Sequence, residues 1–241
     1  MTFTQKAIGV FRAPNDVFEQ LPFNASRRDW VLPLLIYAIV TAITMHLVVA
    51  KESIASHFRL LAEHEIRPQL DQFVQQGTIT QEQAQWVFSF VSPGSVSFFF
   101  AQLMGTFIGT AIFLFAVGLL LWQLGKSVMA RHAPYMLVVT IVSLALLIAS
   151  VERTVTALFM VATDSIFATP SLALLFLDSP MTPGFALASR LNIFTLWEMY
   201  IVALGLAWLF DREISKVFVL VASLWLIWTL LTVAPLFLQG P

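Results

Sequence analysis

The sequence predicts an all-α membrane protein with five transmembrane helices, an amphipathic N-terminal helix and a helical insertion outside the membrane between the first two spans. Of its 241 residues, 59% are hydrophobic and 11% are charged, whereas about 25% of the residues of a soluble domain are charged. The hydrophobic residues are concentrated in long runs, and a helix needs about 20 apolar residues to cross a hydrocarbon core of about 30 Å. Because lipid offers the backbone no hydrogen-bonding groups, each run is expected to form a helix.

Composition and motifs also exclude several classes of function. The net charge of -1 at pH 7 argues against a nucleic-acid partner. The chain contains no cysteine, which excludes disulfides, zinc–thiolate sites and cysteine catalysis. No HExxH, GxSxG, Walker or paired-carboxylate pattern is present. We therefore expect no enzymatic activity, no metal and no cofactor.

The N-terminal segment, residues 1–29, is polar with scattered apolar positions. The apolar positions share one side if two short helices flank Pro14: Ile8, Phe11, Val17, Phe18 and Leu21. Proline suits the first turn of a helix, so a helix is expected to begin there. The segment is predicted to be amphipathic and to lie on the cytoplasmic surface of the membrane; the alternative is a loose tail.

Residues 30–241 are predicted to form a single membrane domain. Its five spans cover about 30–50, 98–122, 134–160, 192–210 and 217–238. Residues 51–95 form the external insertion, in which the apolar spacing predicts helices and Thr80 to Gln83 match a capping box. Between the third and fourth spans, an apolar piece within residues 164–192 is too short to cross and is expected to lie at the interface or to re-enter the membrane.

The distribution of basic residues predicts the orientation of the five spans, because cytoplasmic loops carry more lysine and arginine. With the N-terminus inside, eight basic residues lie on the inner side: Lys6, Arg12, Arg27, Arg28, Lys126, Arg131, Arg212 and Lys216. The outer side then has four, or five if Arg153 is counted there: Lys51, Arg59, Arg67 and Arg190. The N-terminus is therefore predicted to be cytoplasmic and the C-terminus external.

Small residues repeat every four positions along the second predicted span, at Ala101, Gly105 and Gly109. Such spacing lets a second helix approach closely, and close packing drives helix association in lipid. The stripe predicts either packing against another helix of this chain or contact with a second copy or another membrane protein. The sequence leaves both alternatives open.

Several ionisable residues fall within the predicted spans, at His46, Glu152, Arg153 and Glu198. Counting about 1.5 Å per helical residue places all of them in the outer part of the membrane, with Arg190 just above. Since a charge inside a membrane helix usually pairs or faces water, Glu198 is expected to pair with Arg153 or Arg190. The pair is either a structural link between the third and fourth spans or part of an outward-open polar cavity in which Glu198 binds a ligand or carries a proton. His46 is expected to be an interface residue on its own.

The two ends of the membrane domain resemble a known family. The N-terminal part reads GVFRAPNDVFEQL, followed by a tryptophan and WVLPLLIYAIV, and the C-terminal part reads LNIFTLWEMYIVALGLAWLF and VASLWLIWTLL. These segments resemble the bacterial branch of the Yip domain family from about Ile8 to Leu231, with Pro14, Trp197 and Gly205 as the most telling positions. The resemblance implies five transmembrane helices with a cytoplasmic N-terminus, in a bacterial inner membrane. Eukaryotic members bind Rab/Ypt small GTPases, but the resemblance is closer to the bacterial branch and does not carry that partner over.

Taken with the resemblance, these patterns predict a non-enzymatic membrane organiser, a trafficking-type scaffold that binds lipid and other membrane components. A homo-oligomer or another membrane protein is the expected partner. The alternative is a transporter, a channel or a lipid-handling protein built around Glu198, although the two halves show no internal repeat of the kind many transporters have. An enzyme, the third alternative, would have to be built from Glu198, Arg153 and His46.

Overall fold

The computed structural model describes residues 1–128, 132–177 and 182–238 of the chain. Over these ranges the chain is almost entirely helical, and the single strand-like feature is an isolated bridge between Ser171 and Asn192. The predicted all-α fold is therefore confirmed. The α-helices are α1 (Phe3–Arg12), α2 (Pro14–Asn24), α3 (Arg28–Val49), α4 (Glu52–Glu65), α5 (Arg67–Gln75), α6 (Gln81–Val91), α7 (Val96–Val128), α8 (Tyr135–Thr163), α9 (Pro183–Arg190), α10 (Ile193–Phe210) and α11 (Ile214–Leu238), with a short 3-10 helix at Leu172–Phe176.

Five of these helices, α3, α7, α8, α10 and α11, are long and apolar enough to cross a membrane. The chain is thus an integral membrane protein by the length and composition of its helices. The expected insertion is present as α4, α5 and α6, and the Thr80 side chain caps α6 in the predicted capping box. The short apolar piece after α8 contains the 3-10 helix, and α9 follows with only 8 residues, so neither is long enough to cross.

Helix α8 lies at the centre of the bundle and packs against α3, α7 and α10. In its most apolar window 67% of the residues are buried, compared with 28% for α3 and 11% for α7. The Ser143 hydroxyl donates a hydrogen bond of 2.6 Å to the Trp30 carbonyl, and Lys51 Nζ donates one of 3.0 Å to the Val161 carbonyl. These two bonds, near opposite ends of α3, show that α3 and α8 run side by side in the same direction.

Helix α10 runs against α8 and packs tightly on it at Gly205. A β-carbon placed on Gly205 would lie 2.5 Å from Ile141 Cγ2 and 3.0 Å from Phe18 Cε1. Such distances are well inside van der Waals contact, so only glycine lets α10 pack simultaneously on α8 and α2. Gly125 of α7 is confined in the same way, since a β-carbon there would overlap the Phe210 ring.

The two N-terminal helices pack on the bundle, with α2 against α10 and α8 and α1 against α2 and α8. We call this pair the N-terminal hairpin. Val17, Phe18 and Leu21 of α2 are buried in the bundle core, whereas Ile8 and Phe11 of α1 are exposed. The expectation that the five apolar residues share one side therefore fails for α1, because the side of α1 that packs inwards carries a lysine.

That lysine is Lys6, which forms a buried ion pair with Asp29 at the start of α3. Lys6 Nζ lies 2.6 Å from Asp29 Oδ2, and both side chains are only 1% exposed. Lys6 Nζ also donates to the Asn24 carbonyl at 2.5 Å, and the Ser26 amide donates to Asp29 Oδ2 at 2.7 Å. One carboxylate thus ties α1 and the loop after α2 to the first turn of α3.

The bundle therefore has two different ends. We call the end where α3 and α8 begin, and where the N-terminal hairpin packs, the hairpin end. The opposite end, where α4, α5 and α6 are attached, is the insertion end. There Lys51 forms an exposed ion pair with Asp164, 3.1 Å long, and the Ser53 hydroxyl hydrogen-bonds the same carboxylate.

Candidate functional site

The structure brings Glu152, Arg153 and Glu198 together between α8 and α10, with Asn192 and Tyr37 beside them. We call these five residues the polar cluster. Asn192 Nδ2 donates a hydrogen bond of 2.9 Å to Glu152 Oε1. The Oδ1 of Asn192 accepts the Thr195 amide at 2.7 Å, so this asparagine caps α10 while linking it to α8.

Glu198 lies inside α10, about 9 Å along the helix from Asn192. Its carboxyl group is within hydrogen-bonding range of the Glu152 carboxyl group. Its Oε1 atom is buried and has no hydrogen-bond partner among the described residues. Two acidic side chains from different helices thus face each other.

Arg153 lies beside this carboxyl pair but turns its side chain toward α3. Its Nε donates a hydrogen bond of 3.1 Å to the Tyr37 hydroxyl, and its guanidinium lies 6.0 Å from the centre of the Tyr37 ring. Across the described ranges no ion pair joins Arg153 to Glu198, so the expected direct pairing is replaced by the Tyr37 contact.

Two other residues that the sequence placed at this depth lie apart from the polar cluster. Arg190 ends α9 with an exposed side chain, and the described residues offer it no ion pair with Glu198. The His46 ring packs edge-on against Phe99, with ring centres 5.8 Å apart, and its Nδ1 is buried without a described partner. His46 therefore belongs to the contact between α3 and α7.

Sequence reasoning missed two members of the polar cluster. Asn192 stands directly before an apolar run, which is the usual position of an N-cap residue, so this signal was present. Tyr37 carried no such signal. It is one aromatic residue in an apolar span, and its contact with Arg153 joins positions 116 apart in the sequence.

The small-residue stripe does not pack inside this chain at its two glycines. A β-carbon on Gly105 or Gly109 would meet nothing within 4 Å, and both residues are exposed. Ala101 is half-buried. The within-chain alternative is therefore wrong for the glycines, because α7 turns a different side to its neighbours. The close internal contacts of α7 are at Gly118, where a β-carbon would lie 3.0 Å from Val139 Cγ2, and at Gly125.

Two grooves lie in the insertion, and Glu198 lines neither of them. The larger, of about 720 Å³, runs between α4, α6 and α7 and includes Ala101 and Gly105. We call it the insertion groove. The smaller, of about 320 Å³, lies between α5 and α6, where the Arg67 guanidinium sits 5.3 Å from the centre of the Phe88 ring.

Within the described ranges, no group of three or more histidine, cysteine, aspartate or glutamate side chains is arranged to hold a metal ion. Comparison of the chain with protein-family models, with curated proteins and with solved structures found no match. The Yip-domain resemblance is therefore still a prediction.

Proposed function

We propose that the chain is a non-enzymatic membrane organiser that holds another transmembrane helix against the open face of α7. The observation that carries the proposal is the empty space around Gly105 and Gly109, on the least buried of the five spans. In lipid, helices associate where small residues let their backbones approach closely. Exposed glycines in the middle of a span have no benefit for an isolated chain, since glycine costs about 0.5–1 kcal/mol in a helix relative to alanine.

The family and orientation expectations belong to the same proposal. We place the chain with the bacterial branch of the Yip domain proteins, in a bacterial inner membrane, with its N-terminus cytoplasmic and its C-terminus external. The quoted sequence segments and the excess of basic residues on the inner loops support this placement. The partner is a second copy of the chain or another membrane protein.

Cysteine crosslinking in native membranes tests the proposal, because the chain has no cysteine of its own. The reporter is Ile112→Cys, an exposed position on the face that carries Gly109. Oxidation is expected to join the thiols of two copies and give a product of twice the chain mass, whereas a thiol-to-amine crosslinker at the same position is expected to capture a different membrane protein and give another mass. A chain that stays monomeric under both treatments would overturn the proposal.

Leucine substitutions then locate the contact. Gly105→Leu and Gly109→Leu are expected to abolish the crosslinked product because they fill the space the partner helix needs. Ser223→Leu is the matched control, since it enlarges an exposed small residue on α11. An unchanged product in both glycine variants would count against docking at this face.

A second function, transport of protons or cations, is favoured by one observation, the buried and unpartnered Glu198 Oε1 facing Glu152. Ionisable residues inside membrane spans often mark ion pathways. In proteoliposomes containing a pH-sensitive dye, this function predicts proton flux that Glu198→Gln abolishes and that the exposed insertion variant Glu82→Gln leaves intact. If liposomes that contain the wild-type protein show no more proton flux than empty liposomes, this candidate function is eliminated.

A further inference from the structure

The insertion groove has one wall from the bilayer-crossing helix α7 and two walls from the insertion. Along α7 the lining follows helical spacing at Phe98, Ala101, Gln102, Gly105 and Thr106. Along α4 the same spacing holds at Phe58, Ala62 and Glu65, Ile66 follows directly after the helix, and α6 adds Phe90 and Val91. The volume of about 720 Å³ falls within the range of about 300–1,000 Å³ typical of small-molecule sites.

The groove is continuous with the surface of α7 that faces lipid. Phe100, Met104 and Ile108, which alternate with the groove residues along the helix, are 55%, 53% and 51% exposed. Gly105 itself is exposed at the groove floor. An occupant can therefore enter from the bilayer without crossing water, and the apolar walls match an acyl chain.

The lining also contains a few polar side chains. Glu65 is the one charged side chain in the groove lining, and the described residues supply it with no ion-pair partner. The nearest arginine or lysine in sequence, Arg67, points its guanidinium at Phe88 in the other groove. Gln102 and Thr106 add hydrogen-bond donors to the lining. The groove thus offers a negative charge and neutral donors beside an apolar surface.

We propose that the insertion groove binds a phospholipid whose headgroup carries a primary ammonium group, with the ammonium against Glu65 and an acyl chain against the apolar walls. The carboxylate accepts charge-assisted hydrogen bonds from a primary ammonium. A quaternary ammonium has no N–H to donate, and a headgroup of net negative charge is repelled. This site overlaps the partner face of α7 at Ala101 and Gly105 but does not include Gly109.

Native mass spectrometry of the purified full chain, loaded separately with phosphatidylethanolamine, phosphatidylcholine and phosphatidylglycerol, tests the proposal. The chain is expected to retain phosphatidylethanolamine roughly fivefold better than the other two lipids, the ratio typical of a partly exposed ion pair. Equal retention of all three headgroups would overturn the proposal.

Two pairs of variants locate the site. Glu65→Gln is expected to remove the headgroup preference, whereas Glu63→Gln, exposed on α4 outside the groove lining, is expected to keep it. Gly105→Leu fills the groove and is expected to reduce retention of every lipid, whereas Gly109→Leu lies outside the lining and is expected to have no effect. Thermal unfolding of each variant shows whether it is folded.

The variants also separate this proposal from the proposed function. A partner helix on the stripe is lost in both Gly105→Leu and Gly109→Leu, while the lipid is lost only in the first. A Glu65→Gln variant that still prefers phosphatidylethanolamine would reject the lipid site and leave the crosslinking result unaffected.

Discussion

The two ends of the bundle use the same types of contact in opposite surroundings. At the hairpin end, Lys6 and Asp29 form their ion pair with both side chains 1% exposed. At the insertion end, Lys51 and Asp164 form theirs with side chains 39% and 48% exposed. A buried pair leaves an uncompensated charge when one partner is removed, whereas an exposed pair is replaced by water.

The glycines of α7 show the same contrast along a single helix. Toward the hairpin end, Gly125 sits against the Phe210 ring with no space for a side chain, but toward the insertion end nothing lies within 4 Å of Gly105 or Gly109. The difference teaches that the chain is tightly packed at the hairpin end, whereas α7 has an open face toward the insertion end.

Removing Lys6 is expected to have the largest effect. Lys6→Met leaves the Asp29 carboxylate buried without a cation and should destabilise the fold by about 3–5 kcal/mol. Unfolding of the protein in mixed micelles by added SDS measures the change. Lys51→Met, the control at the insertion end, should barely move the midpoint, and Asp29→Asn added to Lys6→Met should recover part of the loss. If Lys6→Met and Lys51→Met lowered the free energy of unfolding by similar amounts, the two ends of the bundle would not differ as described.

Enlarging a packed glycine should come next. Gly125→Leu must displace the Phe210 ring, and overpacking of this kind costs about 1–3 kcal/mol. On the open face, a β-carbon on Gly109 would meet no atom within 4 Å, so Gly109→Leu should not lower the unfolding midpoint. If both variants unfold alike, the two faces of α7 do not differ as described.

A smaller change of opposite sign is expected at the open face. Gly109→Ala removes the helical cost of glycine without creating a clash, so it should stabilise the monomer by about 0.5–1 kcal/mol. Gly205→Ala places the same methyl group 2.5 Å from Ile141 Cγ2 and should destabilise. SDS titration of both variants in parallel shows whether each one is more or less stable than the natural chain. If both changes had the same sign, the packing around Gly109 and Gly205 would not differ as described.

The smallest effect is the pH dependence of the exposed pair at the insertion end. The hydrogen bond from Ser53, followed by that from Lys51, holds the pKa of Asp164 below its ordinary value of 3.8. Because the folded pKa is lowered, the contact is fully stabilising above pH 3.8 and is lost as the pH falls through the folded pKa. Asp164→Asn should therefore unfold slightly earlier than the natural chain at pH 7 and identically in strong acid. If the difference in unfolding midpoint between Asp164→Asn and the natural chain grew as the pH fell, stability would depend on pH in the opposite sense.

The spans were predictable because helix-forming apolar runs of sufficient length have one stable form in lipid. Which of the spans is the most buried in the bundle was not predictable from the sequence. The most apolar windows of α3, α7 and α8 share a mean hydropathy of 2.2, yet 28%, 11% and 67% of their residues are buried. Lipid and protein interior are equally apolar, so hydropathy cannot tell a central helix from a peripheral one.

The candidate site was predictable to a similar degree. The rise per helical residue places Glu152, Arg153 and Glu198 at the same depth in the membrane, as the structure does. It does not predict the direction in which each side chain points. Arg153 therefore contacts Tyr37, and Glu198 faces a second acid. Lys6 was missed for the same reason, since its partner Asp29 is 23 residues away and the two meet only through folding.

With 33 residues, α7 is longer than a bilayer requires. At about 1.5 Å per residue it measures about 50 Å, against about 30 Å of hydrocarbon. A helix with such hydrophobic mismatch tilts in a thin membrane and stands more upright in a thick one. Because α6 joins α7 through a short turn and packs on it, the insertion moves with that tilt. Membrane thickness would then set how deeply the mouth of the groove sits among the lipid headgroups.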